Sequence, residues 1–129
     1  MEKTCVFSPS GSPAMGPYSH AVQTGQLLFI SGQGPFAKDG SGAIAGTIEE
    51  ETIRTLDNLK AVVEDAGAQM TDVVKTTCFL ADMNDFKAFN AVYATYFAEE
   101  SPARSCVEVA RLPLDIKVEV EAIVLVPNA

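Results

Sequence analysis

Side chains suited to binding a small molecule alternate along a segment near the C-terminal end of the chain. Arg104, Cys106 and Glu108 occupy every second position of residues 103–109, so in a β-strand they would share one face. A planar guanidinium can hold a carboxylate through two parallel hydrogen bonds, and cysteine is seldom found at positions that face water. The pattern indicates a partly enclosed cleft that binds a carboxylate, although an exposed polar strand face would show the same alternation.

A second group of candidates lies in the last strand-like segment. Lys117, Glu119 and Glu121 share one face of residues 116–126, opposite a row of apolar side chains. Two carboxylates at this spacing could supply a general acid or base, but solvated polar side chains would have the same pattern. Cys106 as a nucleophile would need a neighbouring base, and the single histidine, His20, belongs to a distant loop. We therefore expect Cys106 to be a structural or pocket-lining thiol.

Two turn-rich segments carry further polar groups at predicted strand edges. Tyr18 lies in the sequence Gly-Pro-Tyr-Ser, and Ser31 begins the sequence Ser-Gly-Gln-Gly-Pro. The glycines do not form a phosphate-binding loop, because neither the GxxxxGK[ST] pattern nor a following helix is present. Ordinary turn chemistry explains the glycines, but the pattern leaves the relation of Tyr18 and Ser31 to Arg104 open.

The elements that must position these side chains can be predicted from local patterns. Six segments have strand-like composition: residues 4–6, 21–24, 27–31, 72–80, 103–109 and 116–126. A helix begins at Thr47, with a capping box completed by Glu50, and ends at Gly67. Its predicted buried stripe comprises Ile53, Leu56, Leu59, Val63 and Ala66. Asn84 and Asp85 would cap a second helix, with the apolar face Phe86, Phe89, Tyr93 and Phe97.

This order of elements predicts an α+β fold in which two helices cover one face of a mixed sheet. In residues 72–80, we place Val74, Thr76, Cys78 and Leu80 on one face and Val73, Lys75, Thr77 and Phe79 on the other. Both faces are therefore largely apolar or neutral. The face without helices needs a partner, and a symmetric homo-oligomer is the simplest one.

Composition excludes several broad classes of protein. The 129 residues suffice for one domain, 1–129, and are too few for a two-domain enzyme. Nine Lys and Arg against seventeen Asp and Glu give a net charge of −8, and the basic residues are scattered, so we do not expect nucleic-acid binding. Three widely spaced cysteines and one histidine predict neither a metal site nor a disulfide framework. No signal segment or membrane span is recognised, and we expect a cytoplasmic protein.

Several motifs together strongly resemble the Rid (YjgF/RidA-like) family of reactive intermediate enamine/imine deaminases. They are GPYSHAV at 16–22, ISGQ at 30–33, LDNLK at 56–60, VKTT at 74–77, PARSC at 102–106 and KVEVEA at 117–122. The resemblance extends from about Tyr18 to the C-terminus. Its most specific parts are Pro-Ala-Arg-Ser and the terminal Glu-x-Glu-Ala.

The resemblance implies a chorismate-mutase-like fold, a homotrimer with a barrel-like core, and active sites between adjacent subunits. It further implies that Arg104 binds the carboxylate of a 2-imino acid and that Glu119 positions and activates water. Tyr18 and Ser31 would line the same cleft, and backbone groups near Cys106 would help to hold the carboxylate. No metal or other cofactor is implied.

The reaction implied is that of a 2-iminobutanoate/2-iminopropanoate deaminase, a hydrolase acting on carbon–nitrogen bonds. The imine tautomers of 2-aminoacrylate and 2-aminocrotonate would be hydrolysed to pyruvate or 2-oxobutanoate and ammonia. Three alternatives remain: an endoribonuclease or translation inhibitor, a non-catalytic protein that binds small carboxylates, and action on another imine or amide, as in pyrimidine breakdown. At positions 34 and 101, Gly34 and Ser101 differ from the residues frequent in the family. These differences bear on which substrate is preferred more than on the type of reaction.

Overall fold

In the computed structural model, which describes residues 2–127, a mixed sheet is covered on one face by two helices. The strands are β1 (Thr4–Val6), β2 (Ala21–Thr24), β3 (Leu27–Gln33), β4 (Val73–Leu80), β5 (Ala103–Glu108) and β6 (Val118–Leu125). The helices are α1 (Ile48–Asp65) and α2 (Phe86–Tyr96), and short 3₁₀ turns occupy Met70–Asp72, Met83–Asp85 and Pro113–Asp115. The predicted α+β class and element order are confirmed.

The two long strands β4 and β6 lie side by side inside the sheet. The strand order is β1-β2-β3-β6-β4-β5, and every neighbouring pair is antiparallel except β4 and β5, which are parallel. A parallel pair requires a crossover connection, which α2 supplies between β4 and β5. Strand β5 is the last strand in this order and therefore forms one edge of the sheet.

Local signals place the ends of α1 correctly. The Thr47 hydroxyl accepts a hydrogen bond from the Glu50 amide at 3.2 Å, and the Thr47 amide donates to the Glu50 carboxylate at 3.0 Å. Gly67, with φ of +89°, follows the helix and provides the left-handed conformation that a side chain would oppose. The capping box and the helix end predicted from the sequence are both confirmed.

The predicted cap of α2 is wrong in its details. Asp85 precedes the helix but makes no capping hydrogen bond through its side chain. The carboxylate of Asp82 instead accepts from the Asn84 amide at 2.9 Å, so it caps the 3₁₀ turn that leads into α2. The sequence pattern did not predict this additional turn.

The buried stripe of α1 is partly as predicted. Leu56, Leu59 and Val63 are buried, whereas Ile53 is 43% exposed. The stripe instead includes Val62 and, at the helix start, Ile48. Of the face predicted for the second helix, Phe89 and Tyr93 of α2 and Phe97 directly after it are buried, whereas Phe86 is only partly buried.

A bulge alters the predicted faces of β4. The register with β6 shifts between Val73 and Lys75, so Val73 is buried under the helices and Val74 is exposed. The two residues therefore exchange the faces that strict alternation assigned to them. From Thr76 onward the alternation holds, with Thr76, Cys78 and Leu80 buried.

The face of the sheet opposite the helices is uncovered in the single chain, as the sequence predicted, and carries apolar side chains together with polar ones such as Glu119 and Glu121. Four of its side chains are between 41% and 45% exposed: Leu27, Phe29, Val107 and Leu125. Exposed apolar side chains bordered by polar ones are typical of a protein–protein interface. Among residues 2–127, no helix has the length and apolar character needed to cross a bilayer.

The start of β6 is tied to α1 by a buried carboxylate. Glu51 is only 1% exposed and accepts hydrogen bonds from the Lys117 amide at 2.8 Å and the Lys117 ammonium at 3.0 Å. A weaker bond, 3.3 Å long, comes from the amide of Gly46. Because β6 carries Glu119 two residues further on, this contact fixes the strand that presents one of the candidate catalytic groups.

Candidate active site

One cavity brings together three of the five residues assigned to the site from the sequence. It has a volume of about 570 Å³ and is lined by Met15, Tyr18, Ser31, Gly32, Phe36, Pro113, Leu114 and Glu119. Tyr18 comes from the N-terminal loop, Ser31 from β3 and Glu119 from β6. The cavity therefore forms where these three segments converge.

Glu119 is held close to the backbone of β3. It is half-buried and pairs in register with Phe79, on the face of the sheet that the helices leave open. A Cβ atom added to Gly32 would lie 2.5 Å from Oε2 of Glu119, so any other residue at position 32 would displace the Glu119 carboxylate from this place. Burial, with a smaller contribution from the charge of Glu121, raises the pKa of Glu119. A raised pKa brings a carboxylate closer to the range in which it both takes and returns a proton near neutral pH.

Ser31 and Tyr18 present different hydrogen-bonding groups to the cavity. The Ser31 hydroxyl donates its proton to the carbonyl oxygen of Ser19 at 2.7 Å, so its oxygen can accept a further hydrogen bond. The Tyr18 hydroxyl accepts from the Met15 amide at 3.2 Å and retains its own proton for a ligand. Ser31 is thus an acceptor rather than a nucleophile, and Tyr18 is a donor.

Arg104 lies on the other face of the sheet. It pairs in register with Thr76, which is buried under the helices, and its side chain packs against α2. Its guanidinium donates to the side-chain oxygen of Asn90 at 2.7 Å and lies 4.8 Å from the centre of the Tyr93 ring. The rings of Phe86 and Phe89 also lie within 6 Å. These contacts fix the orientation of the guanidinium at the edge strand.

Cys106 follows Arg104 on the same face. It pairs with Cys78, packs against the core and is partly buried. Burial raises the pKa of the Cys106 thiol, and the nearby Arg104 opposes this only in part. His20 cannot serve it as a base, because His20 directly precedes β2, which three strands separate from β5, and its Nδ1 atom accepts the amide proton of Ser8 at 2.6 Å. These contacts are those of a structural thiol, and whether Cys106 also lines a pocket stays a prediction, since it does not line the cavity of Glu119.

A single chain therefore separates the predicted site residues into two groups. Tyr18, Ser31 and Glu119 share the cavity, whereas Arg104 and Cys106 lie on the helix-covered face at the β5 edge. A ligand held by both Glu119 and Arg104 would need these groups from two copies of the chain.

Sequence reasoning missed several residues that shape the site. Asn90 occupies the helix face of Phe86 and Tyr93 at helical spacing, and a polar residue on an apolar face was an available signal. Phe36 and Leu114 line the cavity without a comparable signal. Leu114 has a positive φ of 56° in the turn before β6, which local patterns do not indicate for leucine.

Within the described part of the chain, no three His, Cys, Asp or Glu side chains come together in a group that could hold a metal ion. The chemical groups of the cavity are a carboxylate, two hydroxyls and apolar surface. Such a set can bind a small polar molecule and move protons.

Known proteins resemble this chain over nearly its whole length. The family model described as "Endoribonuclease L-PSP" matches residues 10–126. A RutC family protein of Pyrococcus abyssi is 45% identical over 123 residues, covering 95% of this chain and 97% of that protein. The 2-iminobutanoate/2-iminopropanoate deaminase of Salmonella typhimurium is 45% identical over 126 residues, again covering 95% and 97%. The solved structure of Escherichia coli TdcF with bound serine superposes with a TM-score of 0.88 at 39% identity, covering 95% of this chain and 98% of that one.

Proposed function

The chain belongs to the endoribonuclease L-PSP family, also called the YjgF/RutC/Rid family, and from this premise we propose that it hydrolyses 2-imino acids to 2-oxo acids and ammonia. The observation that carries the proposal is the half-buried Glu119 carboxylate, whose raised pKa suits proton transfer, in a cavity with Tyr18 and Ser31. A general base beside two oriented hydroxyl groups suffices for a reaction in which water attacks a carbon that is already electrophilic.

The proposed substrates are 2-iminopropanoate and 2-iminobutanoate, the imine tautomers of 2-aminoacrylate and 2-aminocrotonate. Support comes from the Salmonella relative, which is named for these two compounds and is 45% identical to this chain. The related TdcF structure has bound serine, which carries the same carboxylate beside a nitrogen-bearing carbon. These enamines are products of serine and threonine dehydratases that use pyridoxal phosphate.

Glu119 would transfer protons in both halves of the reaction. In the first half, the water oxygen bonds to the imine carbon, and Glu119 takes one water proton and passes it to the imine nitrogen, giving a carbinolamine. In the second half, Glu119 takes the hydroxyl proton and returns it to nitrogen as the carbon–nitrogen bond breaks and ammonia leaves. Ser31 can accept a hydrogen bond from the water, and Tyr18 can donate one to the substrate. Neither half needs a cofactor.

Arg104 of an adjacent copy would bind the substrate carboxylate. Its guanidinium is oriented by Asn90 and Tyr93 on the face that does not carry Glu119. Two parallel hydrogen bonds to a carboxylate would set the position of the imine carbon. The exposed apolar face of the sheet offers the surface through which copies associate, and we propose a homotrimer with sites between its subunits.

The trimer predicts a simple measurement. Static light scattering at micromolar concentration should give a mass near three times 13.7 kDa, because the open apolar face is unfavourable in water. A stable monomer that hydrolyses imines would contradict both the trimer and the shared site.

The proposed function is tested by trapping the unstable intermediate. Serine dehydratase generates 2-aminoacrylate, and semicarbazide converts the remaining imine into a semicarbazone that absorbs ultraviolet light. With this protein present, the initial rate of semicarbazone formation should fall, because the imine reacts with semicarbazide faster than pyruvate does, and free pyruvate should appear sooner. Heat-denatured protein provides the control, and an unchanged initial rate would refute the deaminase proposal.

The pH dependence of turnover should reflect the environment of Glu119. The base form is needed, so activity falls as the pH decreases through the pKa of Glu119, which is raised above that of an ordinary glutamate. Removing the charge in Glu121→Gln takes away one cause of the increase, so the pKa of Glu119 falls. We expect the acid limb of the kcat/KM profile to shift to lower pH. A limb that stays in place, or shifts to higher pH, would contradict this assignment.

The family description also names an endoribonuclease, and the charge of this chain does not favour that activity. A net charge of −8 with nine scattered basic residues cannot neutralise many phosphates. Purified protein at physiological salt should leave RNA intact. Cleavage that disappears in a folded Arg104→Ala variant would favour the ribonuclease function over the deaminase function.

A further inference from the structure

We propose that Phe36, packed over Gly34, sets the side-chain specificity of this site, and that the chain prefers 2-imino acids whose side chains are apolar and longer than ethyl. The inference rests on the proposed function, since it specifies which imines the same cavity accepts. It comes from the contact between two residues that lie two positions apart at the end of β3.

The Phe36 ring occupies the space that a side chain at position 34 would fill. A Cβ atom added to Gly34 would lie 2.6 Å from Cε2 of Phe36 and 2.9 Å from Cδ1 of Ile116. Distances this short exclude any side chain at position 34 while the ring keeps its position. Gly34, which departs from the bulkier residue frequent in the family, is therefore the partner that lets Phe36 line the cavity.

Phe36 is fixed by its backbone as well as by its ring. The side-chain amide of Asn58, buried in α1, donates to the carbonyl oxygens of Gly34 at 2.9 Å and Phe36 at 3.0 Å. The Phe36 amide donates to the Gly34 carbonyl at 2.9 Å. Three hydrogen bonds thus hold a short segment between α1 and the cavity. The backbone that carries the Phe36 ring is therefore fixed, so the ring forms a wall at a defined place in the cavity and can select ligands by shape.

The remaining lining of the cavity is mostly apolar. Phe36 is joined by Met15, Pro113, Leu114 and the ring of Tyr18, whereas the polar side-chain groups are Glu119, Ser31 and the Tyr18 hydroxyl. Within one chain, before an adjacent copy covers it, the cavity has a volume of about 570 Å³, which exceeds what 2-iminopropanoate needs and leaves room for a longer side chain along Phe36. A methyl or ethyl side chain leaves most of this apolar surface in contact with water. A longer apolar side chain removes more of it from water.

The wild-type protein should therefore discriminate between imines of different length. A flavin-dependent L-amino-acid oxidase, with catalase to remove peroxide, generates 2-iminobutanoate from 2-aminobutanoate and the branched six-carbon imine from leucine. Semicarbazide trapping then gives kcat/KM for each. We expect the leucine-derived imine to be favoured by at least about tenfold, since each methylene in an apolar pocket contributes roughly 10–200-fold.

Phe36→Ala should reduce this preference about tenfold. The leucine-derived imine loses the apolar wall that its side chain contacts, whereas the shorter side chain of 2-iminobutanoate loses less apolar contact. Phe36→Leu, which keeps apolar volume, should retain part of the preference and provides a second variant if the alanine variant does not fold. Phe7→Ala is the matched control, because Phe7 is 61% exposed and does not line the cavity.

Gly34→Ala tests the contact itself. The added methyl group should displace the Phe36 ring and change the preference in the wild-type background. In the Phe36→Ala background only the contact with Ile116 remains, so the change should be smaller. Equal effects in both backgrounds, or a wild-type ratio near one, would overturn the specificity inference and leave the deaminase function intact. Hydrolysis of neither imine would overturn the deaminase function itself.

Discussion

Glu119→Gln should lower the turnover of 2-iminopropanoate by about 10²–10⁴-fold, the usual contribution of a general acid or base. Glutamine keeps the size and polarity of the side chain, so it fits between Gly32 and the cavity as glutamate does. It cannot take a proton from water, so the chemical step becomes slower. Binding of 2-oxobutanoate, measured by calorimetric titration, should remain close to that of the wild type.

Glu121→Gln is the control for this substitution. It removes a carboxylate two residues away on the same strand face, and we expect it to shift the pH profile without lowering the maximal rate. Full turnover by the Glu119→Gln variant would contradict the assigned role. Water activation would then have to come from Glu121 or from the substrate itself.

Those features that depend on neighbouring residues could be predicted from the sequence. The capping box of Thr47 and Glu50 sets the start of α1, and Gly67 sets its end, because both signals act within one helical turn. The alternation of Arg104 with Cys106, and of Glu119 with Glu121, correctly placed each pair on one strand face. Apolar residues on both faces of β4 also predicted that one chain leaves part of its sheet uncovered.

Features that depend on distant residues could not be predicted in this way. The bulge at Val73 arises from the register with β6, which lies more than forty positions further along the chain. Likewise, Ile53 has the spacing of a buried residue but lines an open surface cavity with Val92 and Tyr96 of α2. The fit of Phe36 over Gly34 depends on the fold of the loop, since the glycine alone indicates only a turn.

The placement of Arg104 and Glu119 on opposite faces of the sheet could not be predicted from the sequence either. Strand alternation groups residues within one strand, but it does not say which face the helices will cover. The register of β5 and β6 with β4 settles this, because Arg104 pairs with the buried Thr76 and Glu119 with Phe79. The proposed site is for this reason shared between chains, which has a direct consequence for variants of Arg104.

Arg104→Ala should weaken the binding of 2-oxobutanoate by about 10²–10⁴-fold, with a similar loss in kcat/KM. Arg104 would form two charge-assisted hydrogen bonds to the carboxylate, each contributing about 1.5–3 kcal/mol, and the dissociation constant changes tenfold for about every 1.4 kcal/mol. Arg104→Lys keeps the charge but lacks the planar pair of donors, so its affinity for 2-oxobutanoate should lie between that of the wild type and that of Arg104→Ala. Arg54→Ala, which removes an arginine of α1 outside the cavity, is the matched control. Normal binding by the Arg104→Ala variant would exclude the carboxylate-binding role and the non-catalytic binding function together.

Mixing the two inactive variants tests whether Arg104 acts across the subunit boundary. A Glu119→Gln chain still supplies Arg104, and an Arg104→Ala chain still supplies Glu119. In a mixed trimer, one of the three sites would combine the intact Glu119 of one chain with the intact Arg104 of its neighbour. Co-expression of the two variants should therefore restore part of the activity that neither has alone. If each chain formed a complete site by itself, no activity would return, because every chain in the mixture lacks one of the two groups.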